Sequence, residues 1–137
     1  KKIWDPLPGT QKEGTIISNI INGQLLTNYD ASVSKISNSG SPKILHIASH
    51  AYYFPDEKFE ISPLLKSGIV LAGANSINYE SFDDGYLTAL EISKLDLRGT
   101  ELVVISGCDS GLGDIKSGEG LYGLKRSISV TPKRIPT

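Results

Sequence analysis

The sequence predicts an α/β fold built on a mostly parallel sheet, and three observations carry that reading. Compact apolar, β-branched runs occur at residues 43–49, 68–73 and 101–106, as in strands buried on both faces. Helix-start signatures stand ahead of the first and last of these runs, at Thr10 and Thr88, each with a glutamate three positions on, Glu13 and Glu91; alternating strand and helix is the pattern of parallel crossovers. The first and last runs end at His50 and at Gly107-Cys108, the carboxyl-end positions where open α/β sheets place their ligands.

Taken in order, residues 1–10 hold Pro6, Pro8 and Gly9 and read as an extended opening segment. Thr10 is the expected N-cap of a helix whose apolar face is Ile16, Ile17 and Ile20, with Glu13 completing a capping box and Asn22-Gly23 ending it. Residues 24–27 form a short strand candidate, Asp30 caps a brief helix through Ser37, and residues 38–42 make a turn. The next strand, residues 43–49, then follows as the second strand of a right-handed parallel crossover. Residues 51–63 mix aromatics, charges and prolines and read as loop, as do the polar residues 75–85. Thr88 and Glu91 introduce a short helix ending near Lys94, and Gly99 delivers the chain into the strand ending at Ser106. A last helix is expected over residues 119–127, with Lys125 and Arg126 at the favourable end of its dipole. Residues 128–137, with Pro132 and Pro136, read as an irregular tail.

At 137 residues the chain suits one core rather than two, and residues 1–127 are read as a single domain. A net charge of -1 and a pI near 6.1 give no electrostatic footprint for direct nucleic-acid binding. No apolar run approaches the roughly 18 residues that span a bilayer, and no signal peptide is visible. The single cysteine forms no internal disulfide, which suits a reducing cytoplasm. With no methionine in it, the sequence is expected to be a piece of a longer chain.

The chemistry converges on Cys108. A free thiol is only a few per cent thiolate at neutral pH, so a nucleophilic cysteine needs a base to take its proton and later return it to the leaving amine. His46 and His50 lie four apart on one predicted strand, and alternation puts them on one face with His50 at the tip and His46 deeper. His46 therefore reads as a hydrogen-bonded structural imidazole, and His50 as the base. If the two strands run parallel and close, His50 and Cys108 meet at one crevice. Backbone N–H groups at the strand tips, those of Ala51 and Cys108, are the natural oxyanion donors. A small buried thiol of no catalytic consequence is the alternative reading of Cys108.

Five ordered stretches narrow this further: His-Ile-Ala-Ser-His-Ala at 46–51, Gly-Ile-Val-Leu-Ala-Gly at 68–73, Asp-Gly-Tyr-Leu-Thr-Ala-Leu-Glu-Ile at 84–92, the run from Leu97 to Gly113, and Gly-Glu-Gly-Leu-Tyr-Gly-Leu at 118–124. Together with the opening Leu-Pro-Gly-Thr and Glu13 they closely resemble the CHAT domain, a caspase-like family common in bacteria and often fused to tetratricopeptide repeats. The resemblance spans roughly residues 6–127. It implies a caspase-like three-layer sandwich with a mostly parallel sheet, a cysteine endopeptidase dyad at His50 and Cys108, a protein or peptide substrate, no cofactor, and a tetratricopeptide-repeat region or partner outside this chain. Asp109, after the nucleophile, is expected to line the pocket for a basic or polar side chain before the scissile bond. The competing expectation is a catalytically silent domain of this fold that serves protein interactions.

Two departures from the family pattern matter. Ala51 stands where His-Gly is common, so a hole requiring positive φ would be strained by about 1 kcal/mol. The family motifs stop at Arg126-Ser127, so the sheet is expected to be incomplete. Rival motifs fail on spacing. Gly118-x-Gly120-x-x-Gly123 follows a long loop rather than a strand, and Glu119 stands where a phosphate loop starting at Gly113 needs lysine. Asp114 occupies the position at which a thiol phosphatase needs arginine, and one Cys with two His is a poor metal set. A phosphate or nucleotide binder built on loop 107–120 is the remaining third class.

Overall fold

The computed structural model describes residues 3–53, 63–76 and 84–106. Its elements run α1 (Pro8–Ile21), a 3-10 turn (Asn28–Asp30), α2 (Val33–Ser37), β1 (Ile44–Ala48), β2 (Ala51–Tyr53), a second 3-10 turn (Pro63–Leu65), β3 (Ser67–Val70), β4 (Tyr86–Thr88), α3 (Ala89–Ser93) and β5 (Leu102–Ser106). Helix and strand are mixed in an α/β chain, as expected.

A parallel pair of the kind the dyad reading requires is present. β1 and β5 lie side by side and parallel, with Ile44 opposite Leu102, His46 opposite Val104 and Ala48 opposite Ser106. The Ser49 N–H donates to the Ser106 carbonyl at 3.0 Å, carrying the ladder one residue past β1. The reading of a mostly parallel sheet holds only in part. Among the described residues β2, β3 and β4 form a separate antiparallel sheet, with Ala51 opposite Ile69 and Ile69 opposite Leu87.

Four fully buried positions in a row make β3 look like a parallel strand, yet its burial has another origin. Ile69 packs with Leu87, Ala89, Ile92, Val33 and Ile47, whereas Val70 packs with Trp4, Tyr52 and Ala74. Successive residues thus enter opposite clusters, as the two faces of a strand must. At Gly68 any Cβ would strike the Leu87 carbonyl and the Tyr52 phenol, so close backbone approach requires glycine there. Gly85, at φ 79°, turns the chain tightly against Ala74 before β4.

The helices correct three local expectations. α1 begins at Pro8, its N-cap is Leu7 without a side-chain cap, and the Thr10 hydroxyl donates to the Leu7 carbonyl at 2.8 Å. Proline at the first helical position supplies the required φ, and Glu13 is engaged elsewhere, so the expected box does not close. Asn22 ends the helix in the left-handed conformation, as its place before Gly23 suggested. Residues 24–27 form no strand and no crossover with β1: Leu25 is exposed and has no partner strand. Ser32, not Asp30, caps α2 by accepting the Lys35 N–H.

α3 matches its reading in full. The Thr88 hydroxyl accepts the Glu91 N–H at 3.1 Å, and Glu91 Oε1 accepts the Thr88 N–H at 3.2 Å. Thr88→Ala is expected to lower stability by about 1 kcal/mol, measured as a shift in urea midpoint at unchanged slope.

Candidate active site

His50 sits where the parallel pair hands over to the antiparallel sheet. Its carbonyl accepts the Val70 N–H at 2.8 Å, the residue before it bonds to Ser106, and the residue after it opens β2. The hydroxyl of Ser49 also donates to the Val70 carbonyl. The backbone at the tip is therefore held from both sheets.

His50 is only 7% exposed. The Trp4 ring lies against it, centroids 5.3 Å apart and planes tilted by 41°. His50 Nε2 donates to the Asp5 carbonyl at 2.7 Å. A carbonyl only accepts, so in the neutral ring Nε2 carries the proton and Nδ1 carries the basic lone pair. The arrangement thus sets which nitrogen can take a proton.

Trp4 is itself tied in. Its N–H donates to Asn75 Oδ1 at 2.8 Å, its carbonyl accepts from Asn75 Nδ2 at 2.9 Å, and its indole N–H donates to the Tyr86 hydroxyl at 3.0 Å. Tyr52 packs edge-on against Tyr86 at 5.4 Å. Burial, with the nearby Asp84 and Glu91 charges adding to it, pushes the Tyr52 phenol well above its ordinary value, so its hydroxyl stays protonated.

Ala51 opens β2 opposite Ile69, next to the hydrogen-bonded His50–Val70 pair. Bonded and non-bonded pairs alternate in an antiparallel ladder, so the Ala51 N–H is directed away from β3. Among the described residues the non-glycine positive-φ positions are Asn22 and Asn28. Ala51 is therefore extended and carries none of the strain that glycine would have relieved.

His46 behaves as the structural reading expected. It is half-buried, and its Nε2 lies 3.0 Å from Glu13 Oε1, which joins α1 to β1. Between these two elements is a cavity of about 660 Å³ whose wall includes Trp4, Leu7, Ile17, Leu25, His46 and His50. His50 is thus among the residues lining a space of the size that small-molecule sites occupy.

Cys108 and Asp109 lie outside the described residues, as do the helix expected at 119–127 and the tail. The Asp5 carbonyl, Trp4 and Asn75 escaped the sequence reading. A lone tryptophan in a proline-rich opening segment was the one available signal, and a backbone acceptor has none. Among the described residues no group of three or more His, Cys, Asp and Glu could hold a metal ion, and no helix is long and apolar enough to cross a membrane.

The family model described as CHAT domain matches residues 1–131 of the chain. No curated protein and no solved structure matches it.

Proposed function

The chain belongs to the CHAT-domain family, and from that premise we propose that it is a caspase-like cysteine endopeptidase domain built as a three-layer sandwich. The observation that carries the proposal is the register of β1 against β5. Ala48 faces Ser106 at the same end of two neighbouring parallel strands, and in the sequence His50 and Cys108 each follow two residues later.

In the proposed reaction Cys108 Sγ attacks the scissile carbonyl carbon as its proton passes to His50 Nδ1. The N–H groups of Ala51 and Cys108 stabilise the oxyanion. The tetrahedral species collapses, the imidazolium protonates the departing amine, and a thioester remains. Water, deprotonated by His50, attacks the thioester; the acid product leaves and the thiol is restored. Asp109 favours Arg or Lys before the scissile bond. No cofactor is involved. The substrate is a protein or extended peptide, the setting is the reducing cytoplasm in which one unpaired thiol persists, and a tetratricopeptide-repeat region supplies recognition.

Because the chain has one cysteine, alkylation reports on Cys108 alone. Iodoacetamide and an arginyl chloromethylketone are expected to label the wild type, to fail with Cys108→Ala, and to react about tenfold more slowly with His50→Ala, in line with a lost thiolate-promoting base. The chloromethylketone should also lose its advantage over an alanyl analogue in Asp109→Ala. Equal labelling of wild type and His50→Ala would overturn the dyad and leave a silent interaction module.

A further inference from the structure

We infer that Asn75 is a positioning residue for His50: by clamping both backbone groups of Trp4 it holds the Asp5 carbonyl on Nε2 and thereby selects the tautomer with a basic Nδ1. The catalytic meaning of this clamp rests on the endopeptidase reading; its structural content does not.

The carbonyl that orients His50 comes from the opening segment, 45 residues earlier in the chain. Residues 3–7 of that segment lie outside helix and strand, so their backbone has no ladder of its own and depends on partners elsewhere. For the backbone of Trp4 a planar amide from the turn after β3 supplies that hold, beside the indole bond to Tyr86. Asn75 accepts from the Trp4 N–H and donates to the Trp4 carbonyl, at 2.8 and 2.9 Å. The two bonds imitate a strand pair and hold the two peptide planes that flank Trp4, the second of which leads directly into Asp5.

The residue type follows from the geometry. A carboxylate would accept from the Trp4 N–H but could not donate to its carbonyl, and a flipped amide would set donor against donor. The turn that presents Asn75 is closed by the Ser76 N–H on the Gly73 carbonyl at 2.9 Å. Trp4 contributes differently. Its indole is buried with Tyr52, Val70 and Ala74 and limits rotation of the imidazole it faces, but the position of the acceptor is set by the backbone clamp. Asn75 makes no hydrogen bond to His50 and acts on it through Trp4 and Asp5.

The test is the histidine tautomer, read by long-range proton–nitrogen NMR on the ¹⁵N-histidine-labelled full chain at a pH where the ring is neutral. His50 is assigned by loss of its signal in His50→Gln. The wild type is expected to show the Nε2–H form alone. Asn75→Ala should move His50 toward the tautomer mixture of free histidine, and Asn75→Asp, which keeps one bond, should fall between. Trp4→Phe keeps both backbone bonds while losing core packing and the bond to Tyr86. It should lower Tm more than Asn75→Ala yet retain the wild-type tautomer.

An unchanged tautomer in Asn75→Ala overturns the inference. So does a shift in Trp4→Phe as large as in Asn75→Ala, which would mean that tautomer simply follows stability. Where peptidase turnover is measurable, Asn75→Ala should lower kcat by about 10–100-fold with KM unchanged. A wild type without turnover would refute the endopeptidase reading and leave the tautomer result to decide the clamp.

Discussion

His50→Gln is expected to lower kcat/KM on an arginyl peptide substrate by about 10²–10⁴-fold, the range of a lost general base, while leaving the fold intact. Glutamine is the informative replacement because its amide can still donate to the Asp5 carbonyl, which His50 Nε2 now occupies at 2.7 Å. What it lacks is a basic nitrogen at the Nδ1 position. Alanine would remove the base together with a buried ring packed on Trp4, and so mix loss of chemistry with loss of stability. With glutamine, turnover should fall while the urea midpoint stays near that of the wild type. Activity within tenfold of wild type would show that another group takes the thiol proton.

That experiment depends on a geometry which the sequence made partly visible. Strands β1 and β5 were legible because their apolar runs are long enough to stand out from flanking polar residues, whereas their adjacency entered the sequence reading only as a condition, which the parallel pairing meets. The Thr88–Glu91 box was legible because both of its partners are local. The matching pattern at Thr10 misled because Glu13 has a stronger claim on it from His46, 33 residues away. Tertiary partners override a capping motif whenever one of its side chains can reach them, and nothing within four residues of sequence reveals that. β2 and β4, at three residues each, are too short for any periodicity to register, and without them β3 has no visible antiparallel neighbours.

The site divides in the same way. Residue type exposed His50 as a base at a strand tip and Cys108 as the sole thiol. The groups that orient His50 are a backbone carbonyl, a tryptophan and an asparagine brought together across 71 residues of chain. A carbonyl is present at every position, so sequence carries no mark of the one that matters. The Ala51 departure was visible but its sign was not: only the extended backbone of β2 shows that alanine fits there without strain.

Leu87→Ala is expected to destabilise the fold by about 2–5 kcal/mol, the cost of a cavity at a site that cannot collapse. Leu87 is fully buried on β4. It belongs to the cluster in which Ile69 from the antiparallel sheet meets Ile47 from the parallel pair and Val33 from α2, so its side chain helps join the two sheets on either side of His50. The surrounding backbone is already at close quarters, since Gly68 admits no Cβ beneath the Leu87 carbonyl, and inward relaxation is therefore restricted. Ile16→Ala provides the contrast. Ile16 is as apolar, but on α1 it is 48% exposed, and its loss should cost less than about 0.5 kcal/mol. Urea titrations of both variants would show whether stability resides at the sheet junction. Comparable midpoints would place it instead along α1, and the tip carrying His50 would then lack the rigid support that a catalytic base requires.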